Sequence, residues 1–536
     1  MSDRTLQPAS PSAPGLPYKW KVLISVIFGI FMVILDTTVV NVAFQTLRTE
    51  FRAGINDSQW IISIYVLALG ISTPLAGFLA DRFGIKRIYL TGLTTFVTGS
   101  LLSGLAPGLW FLVGSRALQG LGGGIAIPLG SAMLFAAFPP TEQGLALGVF
   151  GIALLVAPAL GPILGGLLVD SHLWRWIFFI NIPIGILGVT LASRLLRERR
   201  PPSAPSINPV SIATSVVGFG SVLYAASFAA EGGWTSGRVL LWFGIGFASL
   251  AVFAAYELFR ARWPLLNLRL YARRNFLRAS LVGYVSVLAL FGAEFLMPVY
   301  LQALRGRSAL ETGLILLPLA ATAGITAPIA GRVYDKTGPR ILLVAGFGVL
   351  MINTWQLSAI TADTPIRWIL FLLALRGLAL GLTVQTTFVT ALNDVPRDGV
   401  ARGSSLINST RFVVQSIGVA VLATVLAGSL SPQIKALQRT FLEAPEASVR
   451  RTGLCEARSA QPESSIVPAS TTQPSPAMLS LIRQACDEYV KGFERAYRLT
   501  FYAALLAMLL GMTLPGWPAK WHGRGGLAGP PPPPAA

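Results

Sequence analysis

The apolar residues of this chain come in long runs rather than on alternate positions or single helical faces. Stretches of about 18 to 25 mostly apolar residues begin near Trp20, Gln59, Arg87, Leu109, Gly144 and Trp176. Two more begin near Val210 and Val239, and six near Asn275, Glu311, Arg340, Ile366, Ser404 and Arg495. Each is long enough, as a helix, to cross a hydrocarbon core of about 30 Å. The pattern predicts an all-α polytopic membrane protein of about fourteen transmembrane helices. The polar stretches between the runs set the domain limits. Residues 1–19 read as a disordered cytoplasmic tail, 20–200 as a six-helix bundle and 201–262 as an inserted helix pair. Residues 263–515 read as a second six-helix bundle with a long outer loop at 428–494, and 516–536 as a Pro-rich cytoplasmic tail. The N-terminal segment lacks a short apolar core followed by a small-residue cleavage site, so it reads as a tail and not as a cleaved signal.

Composition strengthens the membrane reading. The 536 residues are 53% hydrophobic and only 12% charged, against roughly 25% charged in soluble chains. The net charge of +19 would raise nucleic acid as a partner in a soluble protein. Here the basic residues cluster in alternate loops: Lys19 and Lys21; Arg82, Lys86 and Arg87; Arg194 to Arg200; the arginines between Arg260 and Arg278. The series continues through Arg332, Lys336 and Arg340, then Arg397 and Arg402, and ends at Lys520 and Arg524. Arg305 and Arg307 stand outside it. That bias places both termini in the cytoplasm and accounts for the charge without nucleic acid. The inserted pair, roughly Val210 to Phe259, is read as carrying no buried charge and as lying outside the core. Cys455 and Cys486 both fall in the outer loop. On an oxidising side a bond between them would contribute about 3–4 kcal/mol in the chain-entropy model; two unpaired thiols fit the sequence equally.

The chain contains an internal repeat. Gly77 to Arg87 reads GFLADRFGIKR, and Gly331 to Arg340 reads GRVYDKTGPR. Each gives a glycine, an acid four residues on (Asp81, Asp335), a turn glycine (Gly84, Gly338) and a closing base (Arg87, Arg340). Downstream of each lies an arginine opening a glycine-rich helix, RALQGLGGG from Arg116 and RGLALGL from Arg376. Matching halves point to a duplicated transporter with its substrate site between the halves near the midplane.

At these residues the chain resembles the major facilitator superfamily, and within it the fourteen-helix drug:proton antiporter branch of the multidrug efflux type. Asp36 to Ala43 (DTTVVNVA) is similar to the branch's first-helix motif, Gly77 to Arg87 to the loop between helices 2 and 3, and Arg116 to Gly120 to the helix 4 motif. Gly161 to Gly166 (GPILGG) is similar to the antiporter motif, and WRWIFFINIPIG from Trp174 to the start of helix 6. Phe44-Gln45, Ile85 and Ala157-Pro158 depart from the usual pattern.

Asp36 lies about 24 Å along the first helix from Trp20 at 1.5 Å per residue, inside the membrane and toward its outer half. An intramembrane carboxylate is costly and faces a cavity or a partner. Asp36 is therefore either a proton or cation handler or a hydrogen-bonded brace. Glu294, in the first helix of the second half, is its counterpart, with a Glu solvated by the outer vestibule as the alternative. Arg116 opens helix 4 and, if it points into the bundle, places a fixed charge able to bias a nearby carboxyl; the resemblance implies a part in proton transfer. Gly77, Asp81, Arg82, Gly84, Lys86, Arg87, Asp335 and Arg340 form a candidate cytoplasmic gate, with Asp81 expected near a helix N-terminus among surrounding bases. On helix 5, Ala157, Gly161 and Gly165 make a small-residue stripe. Pro158 and Pro162 bend the helix, and Gly166 completes a motif that in the family marks antiporters. Asn41, Trp60, Tyr65, Gln119, Phe291 and Phe388 are the expected walls of a cavity for an amphiphilic ligand.

The sequence thus leads to a proton-coupled antiporter of the cell inner membrane, exporting hydrophobic or cationic compounds by alternating access. A translocator of a lipid or amphiphilic metabolite is the alternative. No clustered nucleophile or acid/base set suggests an enzyme, and a sensor would lack the duplicated turn. The expected partners are small amphiphilic or cationic substrates and membrane lipid; a periplasmic adaptor with an outer-membrane channel is compatible with this role. No cofactor is expected beyond a proton gradient, and His172 and His522, both outside the apolar runs, offer no metal site.

Overall fold

The computed structural model describes residues 16–198, 206–434, 455 and 476–517, without the side chains of 55–56, 230–232, 291–295 and 476–479. The described residues form helices and contain no strand. The first half comprises α1 (Tyr18–Glu50), α2 (Ile55–Phe83), α3 (Ile85–Gly104), α4 (Leu109–Ala137), α5 (Gln143–Asp170), α6 (Trp176–Phe179) and α7 (Asn181–Leu195). Then come α8 (Pro209–Gly232) and α9 (Gly237–Phe259). The second half holds α10 (Arg274–Val299), α11 (Ala309–Thr337), α12 (Pro339–Ser358), α13 (Ile366–Asn393), α14 (Val400–Gly428) and α15 (Pro476–Met512). Among the described residues, 11 helical segments are long and apolar enough to cross a membrane, with α6 and α7 counted together. Adding α3, α10 and α15, of 20, 26 and 37 residues, gives fourteen.

The repeated turns are built alike. Gly84, at φ +104°, ends α2 and lets α3 start at once, and Gly338, at φ +78°, does the same between α11 and α12. Both are left-handed or nearby conformations that a side chain disfavours. Pro339 then opens α12, where its missing N–H costs nothing. Ser308 and Glu311 cap the start of α11 reciprocally, and Asn208 caps α8.

The last helix begins at Pro476 and not near Arg495, which shortens the expected outer loop at 428–494. Cys486, Phe493 and Tyr497 are buried along one face of α15, with Tyr489 and Val490 packed beside them. A stripe at helical spacing carries the helix beyond the apolar run, where it needs only one apolar face. Cys455 and Cys486 are joined by a disulfide, and the Cys455 N–H donates to the Leu304 carbonyl at 3.0 Å. The bond thereby ties this extension to the segment following α10.

The halves meet along two seams, α5 with α11 and α2 with α14. Helix α8 packs on both α2 and α14, so the inserted pair lies across the second seam. Leu223 of α8 reaches the Gly70 backbone. Trp60 contacts Tyr224 and Phe228, and the Trp234 indole donates to Thr424 Oγ1 of α14 at 2.8 Å. The pair also holds a buried carboxyl, Glu257, at 2% exposure. This corrects the reading of a pair without buried charge: Glu257 stands at the end of its apolar run, just before Arg260, where a charge is expected to be exposed.

Candidate functional site

Asp36 lies within the first half at the centre of a buried polar cluster. It is 0% exposed and Arg116 is 1% exposed. The Arg116 guanidinium donates through Nη1 to Asp36 Oδ2, and this contact is also an ion pair. Oδ1 accepts from Asn181 Nδ2 at 2.8 Å and from Gln119 Nε2 at 3.1 Å. Arg116 Nη1 also reaches Gln119 Oε1 at 2.8 Å, and Nε donates to the Ile61 carbonyl at 3.2 Å. The guanidinium lies 4.1 Å from the centre of the Tyr65 ring, whose hydroxyl donates to the Val33 carbonyl at 3.1 Å. Ser100 accepts from Gln119 Nε2 at 2.5 Å, and Ser103 lies 2.8 Å from Ser115 and 3.3 Å from Gln119 Oε1. Thus α1, α2, α3, α4 and α7 each contribute a group.

Local sequence explains the convergence. Arg116 and Gln119 are three apart and share a face of α4. Gly122 packs on the Gly92 and Phe96 backbone of α3, and Gly120 and Gly124 on the backbone of α2. A larger side chain at these glycines would push the helices apart and carry Gln119 away from Ser100. Among the described residues, every hydrogen bond at the Asp36 carboxylate is donated to it, as suits a group that only accepts.

The second half repeats the arginine with different partners. Arg376 is 0% exposed; its Nη2 donates to the Ala289 and Leu290 carbonyls of α10, each at 2.8 Å. Asn353, whose Nδ2 donates to the Leu372 carbonyl at 2.7 Å, lies 3.4 Å from Arg376 Nη1. Glu294 and Phe291 follow on α10, but their side chains lie outside the described residues.

At the end carrying the basic loops, both seams are shut. Asp81 pairs with Arg402 of α14 at 2.6 Å, with side-chain exposures of 12% and 19%. The Gly77 N–H donates to Ser405 Oγ at 2.9 Å, and the Gly77 backbone abuts Ala401 and Arg402. On the other seam, Asp335 accepts from the Gly144 and Leu145 amides at 2.8 and 3.0 Å, at the start of α5. Each repeat acid therefore meets the first turn of a helix in the opposite half.

Lys86, Arg87 and Arg340 bond within their own halves, away from this seam. The anion at the start of α3 is Glu198, which accepts from the Lys86 and Arg87 amides at 3.1 Å each; it is not Asp81, which is near the C-terminal end of α2. Lys86 Nζ donates to the Ser193 carbonyl and Arg340 Nε to the Leu514 carbonyl, each at 2.7 Å, both within their own halves. The Arg82 guanidinium stands over the Phe83 ring at 5.4 Å. The partner that sequence reading missed is Arg402, a charge that reads as one more loop base.

On α5, Gly161 faces Thr38 and Gly165 faces Val39 and Val42 of α1, while Gly166 faces Leu310 of α11. Pro162 packs beside Gly313, and Pro158 and Pro162 lie within the helix. The antiporter-motif residues thus close α5 on both halves. Among the described side chains, the expected cavity residues do not converge. Tyr65 and Gln119 belong to the Asp36 cluster, Trp60 packs on α8, and Asn41 is exposed on α1. Phe388 lines a separate cavity of about 20 Å³ with Ser280, Tyr284, Thr387 and Arg411, room for about one water. Asn181 and the three serines were not singled out from sequence, because uncharged polar residues in membrane helices carry little signal; Asn181 does stand in the helix 6 motif.

Comparison with known proteins places this geometry in context. Residues 26–419 match the family model described as Major Facilitator Superfamily. The chain is 32% identical over 399 residues to the multidrug resistance protein B homolog of Mycobacterium tuberculosis, covering 73% of each chain. It is 29% identical over 408 residues to the lincomycin resistance protein LmrB of Bacillus subtilis, covering 76% of this chain and 85% of that one. The human organic anion transporter MFSD10 superposes with a TM-score of 0.54 at 14% identity, over 91% of this chain and 100% of that one.

Proposed function

The chain belongs to the major facilitator superfamily of membrane transporters, and from that premise we propose that it is a proton-coupled antiporter exporting hydrophobic or cationic compounds across the inner membrane by alternating access. The observation that carries the reading is the Asp36–Arg116 pair, a desolvated charge couple contained in one half. Its proton-accepting group is tied to α4 and α7, so protonation loosens contacts among helices that must shift during transport. A proton entering from outside replaces the hold of Arg116 on Asp36, and its release inward restores that hold. One proton crossing about 100 mV releases about 2.3 kcal/mol, enough for a roughly fiftyfold gradient. Names of relatives that include multidrug and lincomycin resistance support export of drug-like compounds. In this reading the basic end is cytoplasmic, and the conformation seen is the one closed toward the cytoplasm. Purified protein in proteoliposomes, given a pH gradient and a panel of cationic dyes, should accumulate at least one dye until a protonophore is added. Uptake indifferent to the pH gradient for every dye transported would refute proton coupling.

A further inference from the structure

The inserted helix pair gathers four aromatic rings at the end of the molecule away from the basic loops. Tyr224 of α8 is the hub: its ring centre lies 4.7 Å from that of Phe228, 5.1 Å from Trp242 of α9 and 6.0 Å from Trp60 of α2. Trp60 also lies 6.2 Å from Phe228, and all four side chains are half-buried. A cation already sits on them. The Arg238 guanidinium, in the first turn of α9, lies 4.8 Å from the Phe228 ring centre and 5.4 Å from that of Tyr224, and it donates to the Tyr224 hydroxyl. Arg238 is exposed and stands on a long flexible stem, so it can swing into water without moving backbone. Tryptophan and tyrosine also collect at membrane surfaces as a belt against lipid headgroups. These rings contact one another instead, and they share a cation. Phe228 packs as well on the cluster formed by Ala229, Val239 and Ala420 of α14. The rings therefore reach from α2 to α14, helices of opposite halves.

We propose that these rings are a binding site for organic cations without N–H donors, of the quaternary ammonium kind, and that Arg238 fills the site when no ligand is bound. The negative face of an aromatic ring attracts a cation set over it, whatever the cation's chemistry. Arg238 loses little by leaving, because water meets its N–H donors at an exposed position. A quaternary ammonium offers water no donor; its methyl groups gain by leaving water and its charge gains from the rings. Exchange of Arg238 for such a ligand is therefore favourable. The place of the site gives it a use, since a cation leaving between the halves at this end passes between α2 and α14. That use rests on the export reading, whereas binding at the rings does not.

The test is the affinity for benzyltrimethylammonium, measured by titration calorimetry on the full chain in phosphatidylethanolamine nanodiscs and corrected with empty discs. Arg238→Ala removes the resident cation and should tighten binding about fivefold or more, whereas Arg238→Lys, which keeps a cation, should stay within about twofold of wild type. In the Arg238→Ala background, Trp242→Leu keeps an apolar side chain but removes a ring face, and should weaken binding about tenfold. If that variant does not fold, Trp60→Leu on α2 takes its place with the same expectation. Unchanged or weaker binding in Arg238→Ala overturns the proposal, as does undiminished binding after loss of the tryptophan. Tenfold weaker binding in phosphatidylcholine discs also overturns it, because the rings would then belong to a lipid headgroup. The measurement needs no pH gradient and no transport. A protein that binds the probe at these rings yet moves no dye against a gradient would refute export and leave the site standing.

Discussion

Asp36 shows how much of a site one residue can organise when it is buried with three donors. Removing Arg116 leaves a buried carboxylate without its countercharge, which costs about 3–5 kcal/mol. Removing one neutral donor costs about 1–3 kcal/mol. Arg116→Ala should therefore lower the thermal stability of detergent-purified protein clearly more than Asn181→Leu does. Equal melting temperatures for the two variants would mean that the ion pair contributes little. Asp36 and Arg116 were legible in the sequence because a charge inside an apolar run is conspicuous. Asn181, Ser100 and Ser103 were not, since only the packing of α3, α4 and α7 brings them to one place. Glu257 was hidden for another reason: in the last turn of α9 and just before Arg260, it reads as one more charge at a helix end and not as a buried carboxyl.

At the scale of elements, the repeated glycine-acid turns were legible, because two copies of one pattern in a chain rarely arise without a shared geometry. Their partners were not. Asp81 lies among three bases in sequence, yet pairs with Arg402 of the other half, because Lys86 and Arg87 are engaged by Ser193 and Glu198. Closeness in sequence gave the wrong neighbours, and seam geometry gives the right one. At Gly77 that seam is tight: an added Cβ meets the backbone of Ala401 and Arg402 at 2.8 Å. Backbone cannot rotate aside, and overpacking of this kind costs about 1–3 kcal/mol. Gly77→Val should hold the cytoplasmic end open and raise alkylation of the Ser405→Cys thiol roughly tenfold. An unchanged labelling rate would show that the seam is looser in the membrane. The length of α15 was missed because hydropathy marks where a helix enters lipid, whereas the stripe from Cys486 to Tyr497 continues it outside.

For the whole molecule, the alternation of basic loops sets an orientation that the fold can be asked to honour. Ser206, before α8, and Thr235, between α8 and α9, are both exposed. Single cysteines at these positions, in a background with Cys455 and Cys486 replaced, should react from opposite sides of the membrane, Ser206→Cys from the cytoplasm. Reaction from one side would break the topology and the gate assignment with it. The fold class and the two related halves were open to sequence reading, because apolar length and repetition are properties of the chain alone. The place of the inserted pair across the α2–α14 seam was not, because nothing in its own composition names the helices it packs on. The central claim, that Asp36 carries the coupling proton, is tested most directly by comparing two activities of Asp36→Asn in proteoliposomes. One is uphill uptake driven by a pH gradient; the other is exchange of substrate across the membrane without a gradient. The amide keeps the size of the side chain and an acceptor oxygen but cannot titrate. Exchange should persist while driven uptake is lost. Driven uptake of neutral and cationic compounds at wild-type rates would contradict the account and leave Asp36 a brace between α1, α4 and α7.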